Sequence, residues 1–160
     1  MKGFLHVIIV TLDSNRRSTL AHTINYGEDE PSSFFLLPPK LDFIDLPGTH
    51  WTWTDNKFVI KNLETDKIDE WFLFFSNEID LADQFESLKE FIDQQEKLEI
   101  GRILTFINAD YLKEINHLLQ DWIDGCAHFS DAFCFSNRTN QNAQALSSLL
   151  DRYKTMRYPM

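Results

Sequence analysis

The sequence predicts an α/β fold: a doubly wound, mostly parallel sheet flanked by helices. Four apolar runs are continuous rather than alternating, which is typical of strands buried on both faces of a parallel sheet. These runs are Phe4–Val10, Trp71–Phe75, Ile103–Ile107 and Ala132–Phe135. Hydrophobic residues at spacings of three and four lie between them, and strands that alternate with helices favour right-handed βαβ units.

The helical spacing is clearest in three places, residues 81–92, 112–123 and 145–153. The segment 28–61 differs, because it contains four of the five prolines and two of the four tryptophans. We expect this segment to be irregular, except that the alternating pattern of Leu41–Leu46 indicates an edge strand. With 43% hydrophobic residues and no linker-like tract, residues 1–160 are expected to form a single domain.

The charge and cysteine content exclude several classes of function. A formal charge of −10 repels phosphate backbones, so we expect no nucleic-acid partner. Cys126 and Cys134 are too few for a disulfide framework or a zinc site. No stretch reaches the roughly 20 apolar residues of a membrane span, and the first ten residues lack the pattern of a signal peptide. We therefore expect a cytoplasmic protein with no membrane partner.

The turn after the first apolar run has the spacing of a phosphate-binding loop. In the pattern G-x-x-x-x-G-K-[ST], backbone N–H groups and the Lys hold phosphates, and the hydroxyl holds magnesium. Thr11 and Arg16 stand for the two glycines, Arg17 for the Lys and Ser18 for the hydroxyl. The candidate phosphate-binding residues are Ser14, Asn15, Arg16, Arg17, Ser18 and Thr19.

The same turn lacks both glycines, which normally let phosphate approach a backbone that carries no Cβ. Asp13 adds a charge that repels an anion, whereas Arg16 and Arg17 attract one. The alternative interpretation is an ordinary strand–turn–helix junction in which Asp13 or Ser14 caps the helix. The turn by itself leaves both interpretations open.

Later turns contain three further segments of interest. Asp45-Leu-Pro-Gly48 fits the D-x-x-G switch of GTPases. Residues 77–84 read N-E-I-D-L-A-D-Q and follow the second apolar run, while residues 137–140 read N-R-T-N and follow the last one. The last two segments each come after an apolar run, where the ligand-binding edge of a parallel sheet is expected.

In this order, the segments resemble the motifs of the CobW-type GTPases, which are relatives of HypB and UreG. That family has E-[TS]-S-G-L-A-D-P in place of residues 77–84 and N-K-x-D in place of residues 137–140. The resemblance covers the whole chain and implies a P-loop NTPase-like fold, with GTP and magnesium as cofactors. It also implies a metal-binding loop, G-C-x-C-C, for which residues 48–52 read G-T-H-W-T.

The resemblance assigns four switch-like positions. Asn77 replaces the acid that helps to organise magnesium, and Asp80 replaces the Gly that contacts the γ-phosphate. Asp45 and Gly48 form the second, alternative switch. Neither version keeps the complete set of residues that the family uses.

The base-binding and metal-binding motifs are also incomplete. Asn137 is kept, Arg138 replaces Lys, and Asn140 replaces the Asp that reads guanine, so guanine preference should be weak. Thr49, Trp51 and Thr52 stand where the cysteines would be, beside His50. Without thiolates we expect no soft metal site at this loop.

These losses lead to one principal hypothesis and two alternatives. The principal one is a non-catalytic CobW-like homologue that acts as a binding or regulatory module, with at most weak nucleotide or anion binding. The alternatives are an active GTP or ATP hydrolase that uses Arg17 in place of the Lys, and a metallochaperone of the CobW type. A partner protein could bind Trp51 and Trp53, unless these residues fold back over the sheet edge.

Overall fold

The computed structural model describes residues 3–11, 20–21, 24, 33–40, 47–61 and 69–156. The strands in this part of the chain are β1 (Gly3–Thr11), β2 (Ser33–Leu37), β3 (Gly48–His50), β4 (Thr52–Thr54), β5 (Lys57–Val59), β6 (Glu70–Phe74), β7 (Leu98–Asn108) and β8 (Ala132–Ser136). The helices are α1 (Leu81–Asp93), α2 (His117–Phe129) and α3 (Ala143–Met156), with a 3-10 helix over Ala109–Glu114. Leu20, Ala21 and Ile24 are also helical.

Six strands form a sheet in the order β3-β2-β6-β1-β7-β8, and each neighbouring pair is parallel. The fold class is therefore the one that the sequence predicts. All four predicted runs are strands of this sheet, with β1 and β6 near its centre. Their continuous apolar sequence follows from this position, because a central parallel strand is covered on both faces.

The two faces of the sheet carry different layers. Val7 and Ile9 of β1 pack on the face that α1, α2 and the β4–β5 hairpin cover. Ile8 and Val10 lie on the opposite face, where Leu20, Ala21 and Ile24 pack against them. Alternate residues of one strand thus enter two separate clusters, as the period of two in a strand requires.

The expectation of an irregular segment over residues 28–61 is wrong for most of its described part. Ser33–Leu37 is a fully paired strand, β2, which lies between β3 and β6. Its apolar residues directly precede Pro38, so the proline ends the strand instead of interrupting it. Downstream, β4 and β5 form a hairpin whose turn has Asp55 and Asn56 at φ 52° and 58°, as a type I′ turn requires. The strand predicted at Leu41–Leu46 lies outside the described residues.

The helical pattern over residues 112–123 belongs to two elements instead of one. The 3-10 helix ends at Glu114, and α2 begins at His117. Asn116 separates them: its side-chain oxygen accepts a hydrogen bond from the backbone N–H of Leu119 at 2.9 Å. This N-cap satisfies one of the free donors at the start of α2, so it fixes the new helix at that residue.

Trp51 follows the alternative that the sequence left open, in which the loop folds back over the sheet. Its side chain is completely buried, and Nε1 donates a hydrogen bond to the carbonyl oxygen of Phe74 at 2.9 Å. Phe58 packs edge-on between Trp51 and Trp53, with ring centroids 4.8 and 5.1 Å away. A partner surface that includes Trp51 is therefore incompatible with this fold, whereas Trp53 is only partly buried.

Within the described residues, none of the helices is long and apolar enough to cross a membrane.

Candidate functional site

The carboxyl ends of the parallel strands define the edge of the sheet at which a ligand is expected. β1 ends there at Thr11, β6 at Phe74, β7 at Asn108 and β8 at Ser136. The turns that follow β6 and β8 contain the predicted switch-like and base-binding residues. The fold thus brings these two predicted groups to one edge of the sheet.

The predicted phosphate-binding residues Ser14, Asn15, Arg16, Arg17, Ser18 and Thr19 lie outside the described residues, and so does Asp45. The start of their turn is described. Thr11 is buried, and its Oγ1 accepts a hydrogen bond from Nε1 of Trp122 at 3.0 Å. This bond attaches the end of β1 to α2.

Asn77 connects the ends of β6 and β1. Its Nδ2 donates a hydrogen bond to the carbonyl oxygen of Val10 at 2.8 Å. A carboxylate could not make this contact, because a carboxylate oxygen and a carbonyl oxygen are both acceptors. The amide at position 77 therefore has a structural use that the acid of the family motif could not fulfil.

Asp80 is the N-cap of α1. Its Oδ1 accepts hydrogen bonds from the backbone N–H groups of Ala82 at 2.9 Å and Asp83 at 3.3 Å. Aspartate is among the preferred residues at this position, whereas Gly offers no side-chain acceptor. The sequence Leu81-Ala82-Asp83 is thus the first turn of a helix, and Asp80 serves to start it.

Gln84 is a buried residue of this region that the sequence did not single out. Its Oε1 accepts from the backbone N–H of Ser76 at 2.9 Å, while Nε2 donates to the carbonyl oxygens of Ser76 and Ile79, both at 2.9 Å. The side chain is fully buried inside the turn that it binds. The only sequence signal was a Gln in place of the Pro that ends the family motif.

Gly48 begins the edge strand β3. It pairs with Phe35 of β2, and a Cβ at Gly48 would overlap the carbonyl oxygen of Phe35. The glycine is therefore needed for the close approach of two strands. Nearby, Lys40 and Glu78 form an exposed ion pair of 2.7 Å between the turns after β2 and β6.

The loop after β8 contains the predicted base-binding residues. Asn137 has a φ of 55°, and its Nδ2 donates to Oδ1 of Asn108 at 3.1 Å. Arg138 and Asn140 are exposed. Asparagine tolerates a positive φ better than most other residues, which gives Asn137 a backbone role as well.

Asn142 holds this loop from inside and was not predicted. Its Oδ1 accepts from the backbone N–H of Thr139 at 2.9 Å, and its Nδ2 donates to the carbonyl oxygen of Asn137 at 2.8 Å. The same Nδ2 donates to Oδ1 of Asp110 at 3.0 Å. Asn142 is almost completely buried, so three partners satisfy a polar group that water cannot reach.

The described side chains at this edge of the sheet are poorly suited to bind magnesium. Hard divalent cations prefer carboxylate ligands, but position 77 carries a neutral amide whose nitrogen is bonded to Val10. The carboxylate of Asp80 is bonded to the start of α1. No group of three His, Cys, Asp or Glu side chains among the residues that the structure describes is arranged to hold a metal ion.

No protein-family model matches the chain, and no curated protein matches it at a significant level. A search of solved structures finds Zn(II)-bound YjiA GTPase from E. coli, a CobW-family GTPase. The two structures have a TM-score of 0.61 at 9% sequence identity, and the match covers 96% of this chain and 54% of YjiA. The chain has a P-loop GTPase-like fold. It spans about half the length of the YjiA chain, and a likeness at this identity concerns the fold alone.

Proposed function

We propose that the chain is a non-catalytic homologue of the CobW-type GTPases and acts as a binding or regulatory module. The observation that carries this proposal is that Asn77 and Asp80 are both engaged in bonds that the fold uses. One holds β6 to β1, and the other starts α1. Position 77 thus has a neutral amide where the family motif has an acid, and position 80 has a capping side chain where the motif has a Gly.

The base-binding loop supports the same proposal. Asn140 replaces the carboxylate that would accept two hydrogen bonds from guanine, and such charge-assisted bonds contribute about 1.5–3 kcal/mol each. Asn142 instead ties the loop to itself and to Asp110. The hydrogen bonds of Asn142 thus hold the loop without a ligand. Weak nucleotide or anion binding through Arg16 and Arg17 remains a prediction.

Phosphate release from GTP and ATP, measured with purified protein and magnesium, tests the proposal. We expect no multiple turnover, whereas YjiA under the same conditions provides a positive control. The matched variant is Arg17→Ala, which removes the cation of the proposed phosphate-binding turn. Hydrolysis by the wild-type chain that Arg17→Ala abolishes would contradict the proposal.

The likeness to a GTPase structure supports a second candidate, an active nucleotide hydrolase. It would use Arg17 in place of the Lys, Ser18 as the magnesium ligand and Asp45 as the switch acid. A nucleotide present at 100 times its Kd stabilises the folded state by about 2.7 kcal/mol. A clear rise in melting temperature with millimolar GTP, GDP, ATP or ADP and magnesium would favour this candidate, and no rise would exclude it.

The metallochaperone alternative has less support. The zinc bound in the YjiA structure belongs to that protein. In this chain the corresponding loop contains Trp51, which is buried and bonded to Phe74 instead of facing a ligand. Equilibrium dialysis against zinc or cobalt is expected to leave no metal retained by the protein.

A further inference from the structure

The turn between β6 and α1, residues 75–80, is held from the inside by one side chain. We propose that Gln84 makes this turn a fixed element whose conformation does not respond to nucleotide. The inference deepens the proposed function and rests on it, since it concerns the regulation of the same edge of the sheet. It predicts that any partner that contacts the turn meets the same surface with or without a nucleotide.

The bonds of Gln84 close both ends of the turn. Its side-chain amide nitrogen donates one hydrogen bond to the carbonyl oxygen of Ser76 and one to that of Ile79. Its amide oxygen accepts a hydrogen bond from the backbone N–H of Ser76. Ser76 is therefore bonded through both of its backbone groups to the same side chain. An amide is well suited to this task, because it is a donor and an acceptor at once and carries no charge.

Four other contacts hold the outer side of the turn. The Oγ of Ser76 accepts from the backbone N–H of Glu78 at 3.1 Å. Asn77 is bonded to Val10, Asp80 caps α1, and the backbone N–H of Gln84 donates to the carbonyl oxygen of Asp80 at 3.1 Å. Each residue from Ser76 to Asp80 thus has at least one hydrogen bond that would break if the turn rearranged.

A ligand can move such a turn only if it binds the rearranged form much more tightly than the observed one. Rearrangement would break the bonds of Gln84 inside the core, where water cannot replace them. Gln84 is fully buried, so its amide would be left without partners. A weakly bound nucleotide cannot prefer the rearranged turn over the observed one by enough free energy to offset the loss of these hydrogen bonds.

Amide hydrogen exchange can measure the mobility of the turn residue by residue. We expect the Ser76 amide of the wild-type protein to exchange as slowly as the amides of α1. Addition of millimolar GDP, or of a non-hydrolysable GTP analogue with magnesium, should change this rate by less than about twofold. In Gln84→Ala, the Ser76 amide should exchange at least about tenfold faster, because its acceptor is lost.

Ser87→Ala is the matched control, because Ser87 lies on the same helix, is buried and also anchors a neighbouring segment. Its Oγ accepts from the backbone N–H of Phe58 at 2.8 Å. This substitution should accelerate exchange at Phe58 and leave Ser76 unchanged. The comparison separates a specific effect on the turn from a general loosening of α1.

Two results would overturn the inference. The first is fast exchange of the Ser76 amide in the free wild-type protein, a measurement that does not depend on whether any variant folds. The second is a change of more than about fivefold on addition of nucleotide. The proposed function is tested by a different measurement, phosphate release. If the protein hydrolysed GTP while the Ser76 amide exchanged slowly, the proposed non-catalytic function would be refuted and the inference of a fixed turn would stand.

Discussion

The two ends of the sheet are stabilised by different kinds of side chain. At the carboxyl edge, the neutral amides of Asn77, Gln84 and Asn142 hold the turns after β6 and β8. At the amino edge, a histidine, His6, holds the junction of β1 and β7. The difference matters because an amide keeps its donors and acceptor at any ordinary pH, whereas an imidazole exchanges an acceptor for a donor when it is protonated.

The amino edge depends on the neutral form of His6. Its Nδ1 accepts a hydrogen bond from the backbone N–H of Arg102 at 3.1 Å, at an irregularity in the pairing of β1 with β7. The ring stacks on Phe72 with centroids 5.1 Å apart. Gly101 lies directly against the same ring, where a Cβ would be only 2.6 Å from Cε1. The ring of His6 therefore occupies the space beside Gly101 and bonds the backbone at the bulge between β1 and β7.

The comparison indicates that the amides of the carboxyl edge do not titrate, whereas His6 at the opposite edge does. It also indicates where the largest losses of stability should occur, since Gln84 and Asn142 are more deeply buried than His6. Three substitutions test it.

Asn142→Ala should have the largest effect of the three. It leaves Thr139, Asn137 and Asp110 without the hydrogen bonds that a buried amide provides, at a cost of about 3 kcal/mol in the free energy of unfolding. Urea denaturation measures this loss. Asn140→Ala is the control: its side chain is exposed in the same loop, and its effect should stay below about 0.5 kcal/mol. Equal effects of the two variants would refute the role of Asn142.

His6 should make stability fall as the pH falls below about 6.5. Burial lowers the pKa of His6, the negative charge of Glu70 partly restores it, and the positive charge of Arg102 lowers it again. Because the unfolded chain then binds the proton more readily, the stabilisation is complete above the unfolded pKa and is lost as pH falls through the folded one. Protonation of Nδ1 removes the acceptor for the backbone N–H of Arg102, so this hydrogen bond is the contact that we expect to be lost.

Urea denaturation between pH 7.5 and pH 5 measures the His6 effect. His6→Gln is the matched variant, since its side chain retains an acceptor but does not titrate in this range. The wild-type protein should lose more stability than this variant over the same interval. If the two curves run parallel, His6 is not the group that makes the amino edge sensitive to pH.

Asp80→Ala should have the smallest effect, about 1 kcal/mol, because it removes the N-cap of α1. Asp80→Asn retains a capping oxygen and should be close to the wild-type protein. The midpoint of thermal unfolding distinguishes the two. An equal loss for Asp80→Asn and Asp80→Ala would show that the charge of Asp80, and not its cap, is what the protein uses.

The sequence predicted the class of fold because that class is encoded in local patterns. Continuous apolar runs marked β1, β6, β7 and β8, and the three-and-four spacing marked α1 and α3. β2 was missed although Phe34–Leu37 is as apolar as the other runs, because the neighbouring prolines suggested a loop. The break at Asn116 was missed because apolar spacing continues from the 3-10 helix into α2.

The candidate site was predictable only as a set of positions. The sequence indicated Asn77, Asp80 and Asn137 because motifs occur in order along the chain. It did not indicate Gln84 or Asn142, since the partners of these two amides are mostly backbone groups, which every residue possesses. Nothing in a sequence marks which backbone N–H and C=O groups will be buried next to a given amide.

By itself, the sequence determined the parallel sheet and the helices that flank it, and it indicated Asn77 and Asp80 as residues of interest after β6. These properties follow from side-chain identity and periodicity, which can be read along the chain. Only the tertiary structure decided what the side chains of this turn do: Asn77 joins two strands, Asp80 starts a helix, and Gln84 holds the turn between them. The reason is that a hydrogen bond depends on distance and direction, which exist only once the chain has folded.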